Sequence, residues 1–242
     1  MATKTILKAR FKVIAAGVAV AAALGTAASA LAATKKAYLS DNLKNVVGQS
    51  GTLGTVTLTE DGWNGSFYTE IDVKVSLASG LKFIDTGNHT TFAFSTDLSP
   101  SALSFTNIST TPVGGHFVLN PPPIYNPDPP YGSFQYGFDC ATSGTGSCGT
   151  GASGTTAYTS LYFTLNDANG IALSDFVQNS GKQGGWFFAA DVYDSNTKKT
   201  GAIASNNLFT PAIPEPETYV MLMAGLGLMG YVVRRRKQGS NL

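Results

Sequence analysis

From Phe67 to Leu77 the chain alternates without a break. Phe67, Thr69, Ile71, Val73, Val75 and Leu77 fall on one parity, and Tyr68, Glu70, Asp72, Lys74 and Ser76 on the other. Successive side chains of a strand point to opposite faces, so the run predicts a strand with one dry and one wet face. The same period recurs at Thr55–Glu60 through Val56 and Leu58, at Thr91–Ser95 through Phe92 and Phe94, and at Ser133–Asp139 through Phe134, Tyr136 and Phe138. Ser160–Leu165 repeats it with Leu161, Phe163 and Leu165. Trp186–Tyr193 does so with less polarity contrast, and Ala102–Ile108 and His116–Leu119 are further candidates. Gly, Pro and Asn clusters separate these runs, and no long helical pattern lies between them. The expectation is an all-β domain, an antiparallel β-sandwich of jelly-roll or Ig-like kind.

Two interruptions are expected within it. Leu173–Gln178 reads as a short helical turn. Pro121-Pro122-Pro123 and Asn126–Pro130 cannot be central strand, because proline lacks the N–H that a ladder needs. They mark a rigid excursion whose aromatics, Tyr125 and Tyr131, either cover a sandwich edge or present a contact surface. No repeat of fixed period is present, which argues against a solenoid or propeller.

The strand signals occupy residues 33–211, and both flanks are of another kind. Lys4, Lys8, Arg10 and Lys12 precede the apolar stretch Val13–Leu24, and Ala28-Ser29-Ala30 and Ala30-Leu31-Ala32 are small-x-small cleavage sites. This is the anatomy of a signal peptide over residues 1–32, a helix removed by cleavage in the region of Ala30, Ala32 and Ala33. At the other end Ile213-Pro214-Glu215-Pro216-Glu217 leads into an uncharged apolar run, Tyr219–Val233, and then Arg234-Arg235-Arg236-Lys237. The prolines hold the first part extended. As a transmembrane helix, 219–233 would be about 22 Å long at ~1.5 Å per residue. That is below the roughly 17–25 residues usual for a stable span, as expected of a temporary anchor. The basic cluster is a stop that stays on the cytoplasmic side.

The tail over 213–237 resembles the PEP-CTERM sorting domain of Gram-negative bacteria, in Pro214-Glu215-Pro216, in the glycine-bearing 219–233 segment and in Arg234–Lys237. The resemblance implies a recognition signal for a membrane protease-transpeptidase of the exosortase type, with processing near the Pro-Glu-Pro motif. It also implies export through the Sec translocon and an inner-membrane intermediate held transiently by the C-terminal helix. The implied destination is the cell surface or extracellular matrix, with exopolysaccharide or biofilm as the expected partner. Within 33–211, Thr86-Gly87 after Leu81–Asp85, Phe134–Cys140, Leu161–Leu165, and Phe187–Asp191 before Thr200-Gly201 resemble domains common in exported PEP-CTERM proteins. That resemblance implies an extracellular β-rich domain and supplies no catalytic residue.

Setting the two flanks aside changes the charge. The chain has 16 basic and 15 acidic residues. Four basic residues lie in the N-terminal flank and four in the C-terminal cluster, so 33–211 keeps eight lysines and no arginine. Glu215 and Glu217 belong to the tail, which leaves thirteen acids and a net charge of −5. A nucleic-acid interface needs a basic footprint, and this domain has none.

Chemistry-bearing residues are sparse. Cys140 and Cys148 bracket seven small residues, and in an exported chain a close lone pair reads as a disulfide over a flexible loop. Two sulfurs without nearby histidines make a poor zinc site. His89 and His116 have no neighbour at ligand spacing, no Gly-x-Ser-x-Gly elbow is present, and Gly144–Gly154 lacks the P-loop lysine. The thirteen acids single out no glycosidase pair, and Asp85, Asp139, Asp167 and Asp191 fit no EF-hand or nonapeptide calcium pattern. The expectation is a protein without catalytic residues, metal or cofactor, not an enzyme, serving as a structural or adhesive component of the matrix. The alternative is a carbohydrate-binding module or polysaccharide hydrolase. Sugar rings pack on exposed aromatic faces, which makes Trp63, Tyr125 and Tyr131 the candidate glycan contacts, while Trp186 reads as core.

Overall fold

The computed structural model describes residues 32–41, 47–86, 90–120, 131–140, 148, 158–180, 185–209, 225–226 and 229. Twelve strands follow in chain order: β1 Thr34–Leu39, β2 Gly54–Asp61, β3 Glu70–Leu77, β4 Leu81–Phe83, β5 Phe92–Thr96 and β6 Ser104–Thr111. They continue as β7 Phe117–Asn120, β8 Tyr136–Cys140, β9 Ser160–Asn166, β10 Phe176–Val177, β11 Phe188–Asp194 and β12 Lys199–Ser205. One 3-10 turn, Leu173–Asp175, precedes β10, where the sequence suggested a short helical interruption. Every pairing is antiparallel. The domain is all-β.

The strands form two sheets. One runs β1-β2-β3-β9-β6 and the other β12-β11-β5-β8-β7, with β10 added to β5 and β4 to β11. The first sheet owes its register to alternation. Val56 lies opposite Val75, and Val75 opposite Leu161, so the buried parity of each strand meets that of its neighbour. A slip of one residue would turn all three sets outward. Phe163 of β9 bridges to the second sheet, with its ring 4.5 Å from Phe138, 5.7 Å from Phe94 and 6.2 Å from Phe92, and Phe105 of β6 does so beside it, 5.6 Å from Tyr136. The sheets therefore face one another across an aromatic layer.

The second sheet is buried on its other face as well. Gly137, Ala93, Ala189 and Ala204 are cross-strand neighbours on β8, β5, β11 and β12, and together they pave that face with the smallest side chains. Tyr131 and Phe134 pack on this floor, with Trp186 half-buried against them. This corrects the expected pattern at Ser133–Asp139. Phe134 does not share a face with Tyr136 and Phe138, because the strand begins only at Tyr136. Gln135 breaks the alternation, its amide donating to Ser95 Oγ and its side-chain oxygen accepting from the Thr96 amide.

The expected strand from Phe67 is likewise three residues shorter, since β3 begins at Glu70. Strands β1 and β12 have no counterpart among the expected runs. They carry the two ends of the domain together. Lys36 and Phe209 exchange backbone hydrogen bonds of 2.7 Å in each direction, and Asp41 and Ala204 exchange bonds of 3.1 Å. Gly225, Leu226 and Met229 are helical, and among the described residues no helix is long and apolar enough to cross a membrane.

Candidate functional site

Three places in the described fold carry groups with chemical potential: the hairpin between β2 and β3, an acidic cluster on the outer face of the second sheet, and the cysteine pair. The hairpin comes from local hydrogen bonding that defeats the strand period. Asn64 Oδ1 accepts from the amides of Ser66 and Phe67, both at 3.0 Å, and the Asn64 amide donates to the Phe67 carbonyl at 3.1 Å. An asparagine that satisfies the backbone this way builds a turn in place of a ladder. Gly62 has φ +67°, and a Cβ there would lie 2.6 Å from Thr69 Oγ1, so the entry to the turn requires glycine. The result is a tip, Trp63 to Phe67, on which Trp63 is 48 % and Phe67 39 % exposed. The Trp63 ring is steadied by Tyr68, with centroids 5.0 Å apart.

Of the other candidate glycan contacts, Tyr125 lies outside the described residues. Tyr131 does not qualify. Its ring is wholly buried, 4.9 Å from Trp186, and its hydroxyl donates to the Asp41 carbonyl at 2.9 Å. Asn179 Nδ2 in turn donates to the Tyr131 carbonyl at 2.6 Å. A ring so enclosed cannot lie against a sugar. The aromatic that leaves the proline-rich stretch is instead a lid on the Ala-Gly floor.

The acidic cluster arises because one strand is split. β4 and β5 lie end to end along β11, pairing with Val192–Asp194 and Phe188–Ala190 respectively. The gap falls at Asp191, whose amide donates to the Thr91 carbonyl at 3.0 Å and whose carbonyl accepts from Ile84 at 3.3 Å. Asp191 and Asp85 are buried there, Thr86 Oγ1 donates to Asp191, and Asn120 Nδ2 donates to Asp139. Burial pushes the Asp139 carboxyl above the ordinary carboxylate range, and the nearby Asp85 charge adds to the rise. The hydrogen bonds from Asn120 and the Thr91 backbone oppose it without cancelling it. Asp167, grouped with these by sequence, is elsewhere, accepting from the Asn169 amide at 2.8 Å. Among the described residues no three His, Cys, Asp or Glu side chains are arranged to hold a metal ion.

Cys140, at the end of β8, is disulfide-bonded to Cys148, with Cα atoms 5.7 Å apart. The Cys140 amide donates to Thr91 Oγ1 at 3.1 Å, so the bridge is anchored to the sheet beside the split strand. His116 is exposed before β7, and His89 lies outside the described residues. Ala32 and Ala33 of the cleavage region precede β1 directly. Ala30, the motif Pro214, Glu215 and Pro216, and the basic stop Arg234, Arg235, Arg236 and Lys237 lie outside the described residues.

Residues 212–237 match the PEP-CTERM protein-sorting motif. Neither the curated proteins nor the solved structures contain a match to the chain. The motif marks a protein exported and sorted in association with a membrane and processed by an exosortase, a membrane protease.

Proposed function

We propose that this protein is a structural or adhesive component of the cell surface or extracellular matrix, associated with exopolysaccharide in biofilm and without enzymatic activity. The observation that carries the reading is the sorting motif over 212–237. In this reading the signal peptide of 1–32 directs Sec-dependent export, and Tyr219–Val233 holds the chain in the inner membrane as a short helix. The Arg234–Lys237 stop keeps the tail's end on the cytoplasmic side. Cleavage near Pro214 then frees a β-sandwich domain of about 180 residues. Two features support a life outside the cell. The disulfide suits an oxidising compartment. The net acidity, free of arginine, suits a protein that stays soluble without gathering nucleic acid.

A carbohydrate-binding role would rest on Trp63, the one candidate contact both described and exposed. The test of the main reading is the triple variant Pro214→Ala/Glu215→Ala/Pro216→Ala, followed by mass spectrometry of cell-associated and released protein. The expected result is an unprocessed chain retained in the membrane fraction. Normal processing and release of that variant would overturn the assignment.

A further inference from the structure

We propose that the β2–β3 hairpin tip is a membrane-docking element that seats the domain on the phospholipid surface while the sorting tail is still attached. The proposal rests on the reading of Tyr219–Val233 as a membrane segment.

Its first support is direction. Asp41 pairs with Ala204 and Lys36 with Phe209, so the chain runs antiparallel to β1 and approaches the end of the sheet where β1 starts. Thr34 lies opposite Thr59 and Asp61 opposite Glu70, which puts the β2–β3 hairpin at that same end. Only nine residues separate Phe209 from Tyr219, a span of at most about 35 Å when fully extended. Trp63 is six positions beyond Thr57, which is level with Phe209, a rise of up to ~20 Å if the strand spacing continued to the tip. The hairpin thus projects from the end of the sheet toward which the chain is heading at Phe209, by a length comparable with the reach of the linker.

Its second support is composition. Among the described residues the exposed aromatics are Tyr38, Trp63, Phe67 and Phe209. Tyr38 and Phe209 meet in a tilted pair with centroids 5.9 Å apart on the β1 edge, and Trp63 and Phe67 lie on the hairpin tip. Of the exposed aliphatics among the described residues, Ile108, Val113 and Val118 lie on β6, β7 and their connection, and Leu226 and Met229 belong to the C-terminal apolar run. Aromatics with one wet and one apolar end concentrate at membrane–water boundaries.

Its third support separates lipid from sugar. Trp63-Asn64-Gly65-Ser66-Phe67 contains no charge, and a Cβ on Gly65 would meet nothing within 4 Å, so the apex is open. A carboxylate oxygen and an amide oxygen flanking the ring are engaged in the turn itself. Asn64 Oδ1 takes the Ser66 and Phe67 amides, and Asp61 Oδ1 takes the Gly62 amide at 2.7 Å. A sugar site needs such groups directed at hydroxyls, whereas a headgroup boundary needs mainly the rings.

The test uses the full chain and its Trp63→Phe variant, each reconstituted in phosphatidylethanolamine–phosphatidylglycerol vesicles with plain or brominated acyl chains. Flotation reports on the tail, and quenching of tryptophan emission by bromine reports on the tip. The expected result is that both proteins float and that the wild type loses emission in brominated vesicles. Trp63→Phe should lose none beyond its plain-vesicle value, since only Trp186 remains. Flotation with no bromine-sensitive emission, or with equal sensitivity in Trp63→Phe, overturns the docking proposal and leaves the tail reading standing. Failure to float removes the tail reading and the proposal with it. A Trp63 emission shift with native exopolysaccharide, in the absence of bromine quenching, assigns the tip to glycan and also overturns the proposal.

Discussion

Gly137→Ala is the most direct probe of the covered outer face. The substitution adds one methyl group where the structure has no room. An ideal Cβ at Gly137 would lie 2.2 Å from Thr90 Cγ2, 3.2 Å from Thr90 Oγ1 and 3.3 Å from Thr90 Cβ. Thr90 is itself buried, so its methyl cannot swing into solvent. Overpacking of this kind costs about 1–3 kcal/mol. Restricting the unfolded chain returns roughly 0.4–1 kcal/mol, so the net should remain destabilising. For a domain of about 180 residues the net loss, up to about 2.6 kcal/mol, lowers Tm by up to roughly 10 °C. The decisive experiment is a double-mutant cycle with Thr90→Ser, which deletes the offending methyl and leaves contacts of 3.2 and 3.3 Å that a few tenths of an ångström relieve. Urea denaturation of the four proteins should give a coupling of about 1–2 kcal/mol, with Gly137→Ala milder in the Thr90→Ser background. If Gly137→Ala is neutral, or costs the same whether or not the Thr90 methyl is present, then Thr90 does not press on the Gly-Ala floor and the account of that face is wrong.

Two other perturbations report on different parts of the fold. Asp194 has no exposed surface. Burial pushes its carboxyl up, but hydrogen bonds from the Asn196 amide, the Thr197 hydroxyl and Gln49 outweigh this and leave it below the ordinary value. A lowered folded-state value means that the stabilisation is present above the usual carboxylate range and is lost as pH falls through the lowered value. Asp194→Asn should therefore cost about 1.5–3 kcal/mol at neutral pH, the range for hydrogen bonds to a charged group, and the gap to wild type should close in strong acid when both are melted across pH. Reducing the Cys140–Cys148 bridge opens a loop of nine residues, worth roughly 2–3 kcal/mol in the chain-entropy account, so thermal melts with and without reductant should differ by about 4–12 °C.

The sequence was a good guide wherever alternation was set by burial on one face only. Val56 and Leu58, Ile71 through Val75, and Leu161 through Leu165 sit on the inner face as their parity implies. It was a poor guide where local polar chemistry or small residues intervened. Phe67 shares the parity of Ile71, yet Asn64 takes the Phe67 amide into a turn and leaves the ring exposed. Strand β12, Lys-Thr-Gly-Ala-Ile-Ala-Ser, is buried over its last five residues but presents almost no apolar contrast, because its outer face must be small to receive the Tyr131 layer. Tyr131 itself was legible only as an aromatic after prolines. Whether it covers the sheet or faces outward depends on partners far along the chain, Asp41 and Asn179. The split of one strand into β4 and β5 follows from the pairing of both with β11, which no short-range pattern encodes.

The two expected sorting signals flank the described strands in sequence, and that order has an energetic consequence. Among the described residues the last backbone pair before the motif is Phe209 with Lys36, and Pro214 follows five residues later. β1 begins at Thr34, immediately after the expected signal-peptide junction. Removing both flanks would leave every described ladder whole, including the bonds that tie the two ends of the domain together at Lys36 and Asp41. On the proposed maturation, none of the described ladders is lost. Until it is cut, however, the domain stays within nine residues of the apolar run, and the side chains at that end meet whatever surface the run enters. The exposed rings at Trp63 and Phe67, which lie at that end, become intelligible on those terms as suited to an interval spent against a membrane.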